Sequence, residues 1–331
     1  MNTEASLAGE RYFGIDIMKI AAAFMVTFYH FQHIDYGFTA GQFYIPNLNR
    51  LLMNLCVVSV PLFFMCNGAI LLNKKYSVKQ IFRKAAKIIL LILVWHWLSF
   101  PDWFFKTLCL LYCCYPILRY SFEKKRWIMY FLMVALLAVP FMLNLVTTLL
   151  KLQPEPVVIS LRSYSLNLTE MGNTGLFTLY GVMYFLLGGI LIKRRLPIWL
   201  SICMIALGFA LCTLEGIIYT NYYDTFYDGV NSSFPTLGAL LMSVGVFDLM
   251  IRCNMPTKNT WISDGVIFAS KHVLGIYLFH LAFILQVKRY MTGEIYPVIL
   301  IAFICALIDA ACILICTIIR KIPYVRGLVT I

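Results

Sequence analysis

Residues 14–33 read GIDIMKIAAAFMVTFYHFQH. The stretch is predominantly apolar, yet it carries Asp16, Lys19 and His30. About 20 apolar residues are what a helix needs to cross the hydrocarbon core of a bilayer. A charge inside such a helix costs about 2.5–3.5 kcal/mol on insertion scales, so each one calls for a partner or a task. Asp16 and Lys19 are three apart, which puts them on one helix face and predicts an ion pair. Lys19 and His30 are eleven apart, close to three full turns, and so share a face about 16 Å apart along the axis. One stripe therefore offers a cation toward one end and a titratable imidazole deeper in. Two readings stay open on the spacing. In one, an anionic donor binds at Lys19 and His30 is a general base. In the other, Asp16 and Lys19 pair at the interface and His30 only bonds a neighbouring helix.

The rest of the chain resembles this stretch. Of 331 residues 61% are hydrophobic and 13% charged, where a soluble domain carries roughly 25% charged residues. Mean hydropathy is +0.82. The expected fold is all-α: a polytopic integral membrane protein, one membrane-embedded domain over residues 1–331 with about ten transmembrane helices. The expected spans are 15–34, 51–72, 85–100, 103–118, 127–150, 175–192, 196–219, 234–251, 266–287 and 296–319.

The net charge of +12 sits in short alternate loops. These hold Lys74, Lys75, Lys79, Arg83, Lys84 and Lys87; Arg119 and Lys124 to Arg126; Lys193 to Arg195; Arg252 and Lys258; and Arg320, Lys321 and Arg326. The positive-inside rule makes that side cytoplasmic, with both termini inside, and accounts for the charge without nucleic acid. Lys288 and Arg289 fall on the opposite side, where snorkelling at a helix end explains them. The longest opposite-side loop, Lys151–Asn173, is expected to be a lid, a re-entrant piece or a plain connector. Its Asn167–Thr169 sequon would matter only in a secretory pathway. The N-terminal segment has no cleavage site of the kind a signal peptide carries. The eleven cysteines read as small hydrophobes, with no metal-ligand spacing and no disulfide framework, so no metal is expected.

Other polar residues fall inside apolar runs. His280 is mid-span in GIYLFHLAFIL, with His272 eight residues earlier. His96 lies between two tryptophans, and Trp103, Tyr222, Tyr223 and Tyr227 belong to an aromatic surface that suits either sugar stacking or an interfacial belt. Glu215 and Asp309 are candidates for a buried pair or a proton path, and Asp248 for an i,i+4 pair with Arg252. The phosphate-binding, dinucleotide, HExxH and GxSxG signatures are absent, which argues against an ATPase, a metalloprotease and an ordinary serine hydrolase.

GIDIMKIAAAFMVTFYH resembles the first helix of the acyltransferase-3 family, where Gly-Ile-Asp or Gly-Leu-Asp precedes a basic residue, ten residues and His. Lys19 stands where Arg is usual. PLFFMCNGAILLNKKYSVKQIFRKAAKI resembles the family's Phe-Phe-x-x-Ser-Gly helix end and basic loop, with Asn67 for Ser. FKTLCLLYCCYPILR, TLYGVMYFLLGGILIKRR and SKHVLGIYLFH resemble later helices, in the family's order. In SFPDWFF, Pro101 stands where many members have His, and His96 is the nearest substitute. The resemblance implies a multi-pass protein of the bacterial cytoplasmic membrane. It would move an acyl group, acetyl above all, from cytoplasmic acyl-CoA to a hydroxyl on an extracytoplasmic glycan, alongside glycan-synthesis machinery. It assigns His30 and Asp16 to catalysis, Lys19, Arg83 and Lys84 to the CoA phosphates, and His280, His96 and Trp103 to support. A transporter or flippase, and a non-catalytic membrane partner in glycan assembly, remain alternatives.

Overall fold

The computed structural model describes residues 11–32, 48–74, 76–96, 103–152, 179–223, 235–253, 261–291, 296–323 and 325–329. The turn at Pro101, most of the Lys151–Asn173 loop with its sequon, Tyr227 and Lys258 lie outside the described residues. Every described regular element is helical, and each expected span has a helical counterpart. α1 (Phe13–Gln32) is the first. α2 (Leu48–Leu55) and α3 (Ser59–Leu71), joined by a 3-10 turn at Cys56–Val58, are the second, and α4 (Val78–His96) is the third. α5 (Trp103–Cys113) and α6 (Tyr115–Glu123) make the fourth, restarting at Pro116, which a first helical turn tolerates. α7 (Arg126–Leu136) and α8 (Leu143–Leu150) make the fifth. α9 (Leu179–Leu191), α10 (Ile198–Tyr223), α11 (Leu237–Met250), α12 (Trp261–Lys288) and α13 (Val298–Lys321) follow, and a 3-10 turn at Arg326–Val329 comes last.

Among the described residues, six stretches are long and apolar enough to cross a membrane: Phe13–Phe31, Leu52–Leu71, Arg126–Leu150, Ile198–Tyr222, Trp261–Lys288 and Val298–Lys321. Phe104–Cys113, Leu179–Leu191 and Leu237–Met250 are apolar but shorter. α4 opens with Lys79, Arg83, Lys84 and Lys87, too much charge for a span by composition. The chain is thus a polytopic helical membrane protein with six clear spans. The other four expected spans are helical but too short or too charged to qualify alone.

Between α7 and α8 the chain winds as a π-helix over Leu137–Met142. Pro140 lies inside it and has no N–H to donate, so the ordinary i→i−4 ladder cannot run through.

Lipid tails are as apolar as leucine, so helices in a membrane associate through close packing of small residues. Two reciprocal glycine contacts show this. A Cβ on Gly68 would overlap the backbone of Phe185, and one on Gly188 would overlap the backbone of Met65, which locks α3 to α9. Gly208 and Gly238 meet in the same way between α10 and α11. α1 packs against α3, α12 and α13. Around that centre, Tyr184, Phe64, Phe105 and Phe185 are fully buried. Phe131, Ile202, Phe303 and Leu314 face outward on α7, α10 and α13, an apolar rim of the kind lipid covers.

Candidate active site

α1 and α12 lie side by side and run in the same direction, meeting at two stations. At the first, Ser270 Oγ donates to Asp16 Oδ1 at 2.5 Å. At the second, the rings of His30 and His280 have centroids 5.3 Å apart. The stations are fourteen residues apart on α1 and ten on α12, about 21 Å and 15 Å along the respective axes.

The expected Asp16–Lys19 ion pair is not formed among the described residues. The carboxylate belongs to Arg11, whose Nε donates to Oδ2 at 2.5 Å and Nη2 to Oδ1 at 3.0 Å. A planar guanidinium matches a carboxylate with two parallel bonds, which a lysine cannot do. Lys19 instead lines a cavity of about 350 Å³. Lys84 of α4, Lys271 of α12 and Arg320 of α13 share that lining, with Ser270 and Asn67 as polar neighbours and no carboxylate among the described lining residues. Lys19, Lys84 and Arg320 come from stretches expected on one side of the membrane, and the fold brings them to one site. Arg83, one residue from Lys84 and so about 100° around the helix, is exposed and does not line it.

The lining cations are held in definite ways. Burial, and then the like charges of Lys19, Lys87 and Lys74, push the Lys84 ammonium below its ordinary value of 10.5. Its Nζ also sits 4.9 Å over the centre of the Tyr76 ring. Such a group gains from any anion that enters. Arg320 Nη1 donates to the Lys271 carbonyl at 3.2 Å and lies 2.9 Å from His272 Nε2. His272 Nδ1 is 2.7 Å from the Phe268 carbonyl, which can only accept. Nδ1 therefore carries the proton and Nε2 accepts from Arg320. His272 thus orients a cation of the cavity.

At the second station His280 is 2% exposed. Its Nδ1 lies 3.0 Å from the Ile276 carbonyl and 2.9 Å from that of Tyr277, so Nδ1 carries the hydrogen. Its Nε2 is then a lone-pair acceptor when the ring is neutral, and it finds no hydrogen-bond partner among the described residues. His30 also stands edge-on to Tyr29, with centroids 5.6 Å apart. Tyr277 links the stations, since it lines the cavity and its ring centroid is 6.2 Å from that of His280.

His96 closes α4 and Trp103 opens α5, and their side chains lie outside the described part. Glu215 and Asp309 do not pair with each other. Glu215 Oε1 accepts from Asn144 Nδ2 at 3.0 Å and Thr148 Oγ1 at 3.1 Å, and Asp309 Oδ1 accepts from Thr27 Oγ1 at 2.6 Å. Asp248 and Arg252 form the expected i,i+4 pair, which Ser201 joins. Lys288 lies over the Phe31 ring at 5.4 Å, a basic residue resting on an apolar face at a helix end. Sequence reasoning missed Arg11, Ser270, Lys271 and Tyr277 as site residues. The last three lie in SKHVLGIYLFH, where only the histidines drew notice. Arg11 sits five residues from its partner and outside the helix, where helix-face spacing does not look.

The model of a family described as an acyltransferase domain, acyltransferase 3, matches residues 12–102 and 92–320. No curated protein and no solved structure matches the chain.

Proposed function

The chain belongs to the acyltransferase-3 family, and on that premise we propose that it is a membrane O-acyltransferase carrying acetyl groups from cytoplasmic acetyl-CoA to a hydroxyl of an extracytoplasmic glycan. Acyl transfer is the activity of the family. The observation that carries the finer reading is the pairing of two unlike stations on α1 and α12. Four cations line one cavity with no carboxylate among the described lining residues, and two imidazoles meet on α1 and α12 about 15–21 Å further along.

Lys19, Lys84, Lys271 and Arg320 hold the phosphates of CoA by charge-assisted hydrogen bonds. Asp16, fixed by Arg11 and Ser270, anchors α1 against α12 beside that cavity. His30 removes the proton of the acceptor hydroxyl as its oxygen attacks the thioester carbonyl. The tetrahedral intermediate collapses, the carbon–sulfur bond breaks, and the thiolate takes the proton back from the imidazolium. His280, with its hydrogen held at Nδ1, offers Nε2 to accept from a neighbouring hydroxyl of the acceptor and so orients it. In this reading the cation cavity faces the cytoplasm, both termini lie there, and the membrane is the bacterial cytoplasmic membrane. His96 and Trp103 belong to the acceptor side, and Arg83 to the entrance of the donor site. A transporter would need coupled ionisable groups. Glu215 and Asp309 are bonded separately to neutral partners, which favours the enzyme.

Purified protein given labelled acetyl-CoA and candidate envelope glycans tests this. Label on a glycan hydroxyl, lost in His30→Ala, is the expected result. Transfer at the wild-type rate by His30→Ala would remove His30 from the chemistry. Uptake of a solute by reconstituted vesicles, with no acyl transfer, would establish the transporter instead.

A further inference from the structure

Three aromatic rings line the cation cavity, and one of them also reaches the imidazole pair. Phe104, Phe105 and Tyr277 all line the cavity. Their centroids form a closed triangle, 5.4 Å from Phe104 to Tyr277, 5.2 Å from Phe105 to Tyr277 and 5.8 Å from Phe104 to Phe105. Phe104 is backed by Phe64 at 5.1 Å, and Phe105 is 1% exposed, so neither has free volume behind it. Tyr277 reaches the other way, toward His280. The triangle stands on α5 and α12, and its Phe105 corner lies in the fully buried core, so its rings are not free to swing aside together.

In the donor-site reading, a thioester whose phosphates rest on Lys19, Lys84 and Arg320 turns its carbonyl toward the histidines on the side where Tyr277 connects the triangle to His280. We propose that Phe104, Phe105 and Tyr277 form an aromatic partition that sets the length of acyl chain the enzyme accepts, admitting a short chain such as acetyl and excluding long ones. The proposal rests on the donor-site reading given above. A close-packed wall of rings is suited to this task. Each methylene that does not fit a tight apolar pocket changes discrimination by about 10- to 200-fold. Removing one ring opens space that an apolar chain fills favourably.

The test uses the full-length protein in lipid nanodiscs, with acetyl-, butyryl- and octanoyl-CoA as probes. Binding is measured by calorimetry and thioester consumption by thiol release. Wild type is expected to prefer acetyl-CoA over octanoyl-CoA by at least about tenfold. Phe104→Ala is expected to shift that ratio toward octanoyl-CoA by about tenfold or more. Phe104→Leu, a milder change that keeps most of the packing, is expected to shift it part of the way, with gel filtration reporting that each variant is folded. A wild type that handles octanoyl-CoA as well as acetyl-CoA overturns the partition while leaving acyl transfer standing, and so does a folded Phe104→Leu and Phe104→Ala pair with the wild-type chain preference. A wild type that binds no CoA thioester at all overturns the donor site, and the partition with it.

Discussion

Two groups of polar residues lie inside the apolar helices, and they are built in opposite ways. Around Glu215 the contacts close on one another: Asn144 and Thr148 donate to the carboxylate, Thr148 lies 3.4 Å from the Tyr219 hydroxyl, and Lys151 lies over the Tyr219 ring at 4.0 Å. Along α1 and α12 some polar groups face a cavity or stay open instead. Lys19 has left its carboxylate neighbour to line a cavity, three more cations join it, and His280 Nε2 is buried with no partner among the described residues. A satisfied network holds helices together. Cations gathered around one cavity, and a buried lone pair with no partner among the described residues, are arrangements that folding alone does not favour. On the proposed function, the difference separates polarity that holds helices together from polarity that serves acyl transfer, in a chain where both look alike by hydropathy.

The sharpest way to break that contrast is at the imidazoles. His30→Ala should lower acyl transfer by about 10²- to 10⁴-fold while acyl-CoA affinity stays within about threefold. Lost affinity with an unchanged turnover number would move His30 into the donor site and erase the distinction between the two stations. Next come the cations. Lys19→Ala and Arg320→Ala should each weaken CoA binding by about 10- to 100-fold, the value of one charge-assisted contact, and flatten its dependence on salt. Affinities unmoved by both changes would mean that the cavity does not hold the phosphates.

A smaller effect concerns pH. The Lys84 ammonium is held below 10.5, first by burial and then by its lysine neighbours. An anion binds the charged form, so CoA affinity is fully present at low pH and falls as pH rises through the lowered Lys84 value. The fall should begin at a lower pH than an ordinary lysine would give, and Lys84→Arg should abolish it, because guanidinium stays charged. Calorimetric titration across about pH 7 to 10 reads this, and identical profiles for the two proteins would rule Lys84 out. The smallest effect is expected at the closed network. Glu215→Gln should leave transfer within about twofold and lower stability by about 0.6–1 kcal/mol, as thermal unfolding in detergent would register. A tenfold loss of transfer there would make Glu215 functional and end the contrast.

The helices were legible where apolar runs are long, as in α1, α10, α12 and α13. The break before Pro116 was not, because it falls inside one expected span, 103–118, whose composition stays apolar across it. The charged stripe on α1 was legible because spacing along one helix is fixed geometry. Partners across helices were not. Nothing in the spacing says that Ser270 meets Asp16, or that Arg320 turns inward onto His272, because those contacts depend on which helices adjoin. The Asp16–Lys19 expectation failed on a local competition, in which Arg11 offered two parallel bonds and Lys19 could offer one. The resemblance of SKHVLGIYLFH to a family helix singled out its histidines, and only packing shows that its serine, lysine and tyrosine line the cation cavity.

The π-helical turn at Leu137–Met142 has a consequence for how such chains diverge. An i→i+5 turn holds one residue more than an i→i+4 turn, so loss of a single residue there is absorbed by closing the turn toward ordinary α-helix, which keeps Asn144 and Thr148 facing Glu215. The same loss inside α10, ahead of Glu215, would turn that carboxylate by about 100° away from both partners. The π turn is therefore the place in this span where chain length can change without rewiring the polar contacts.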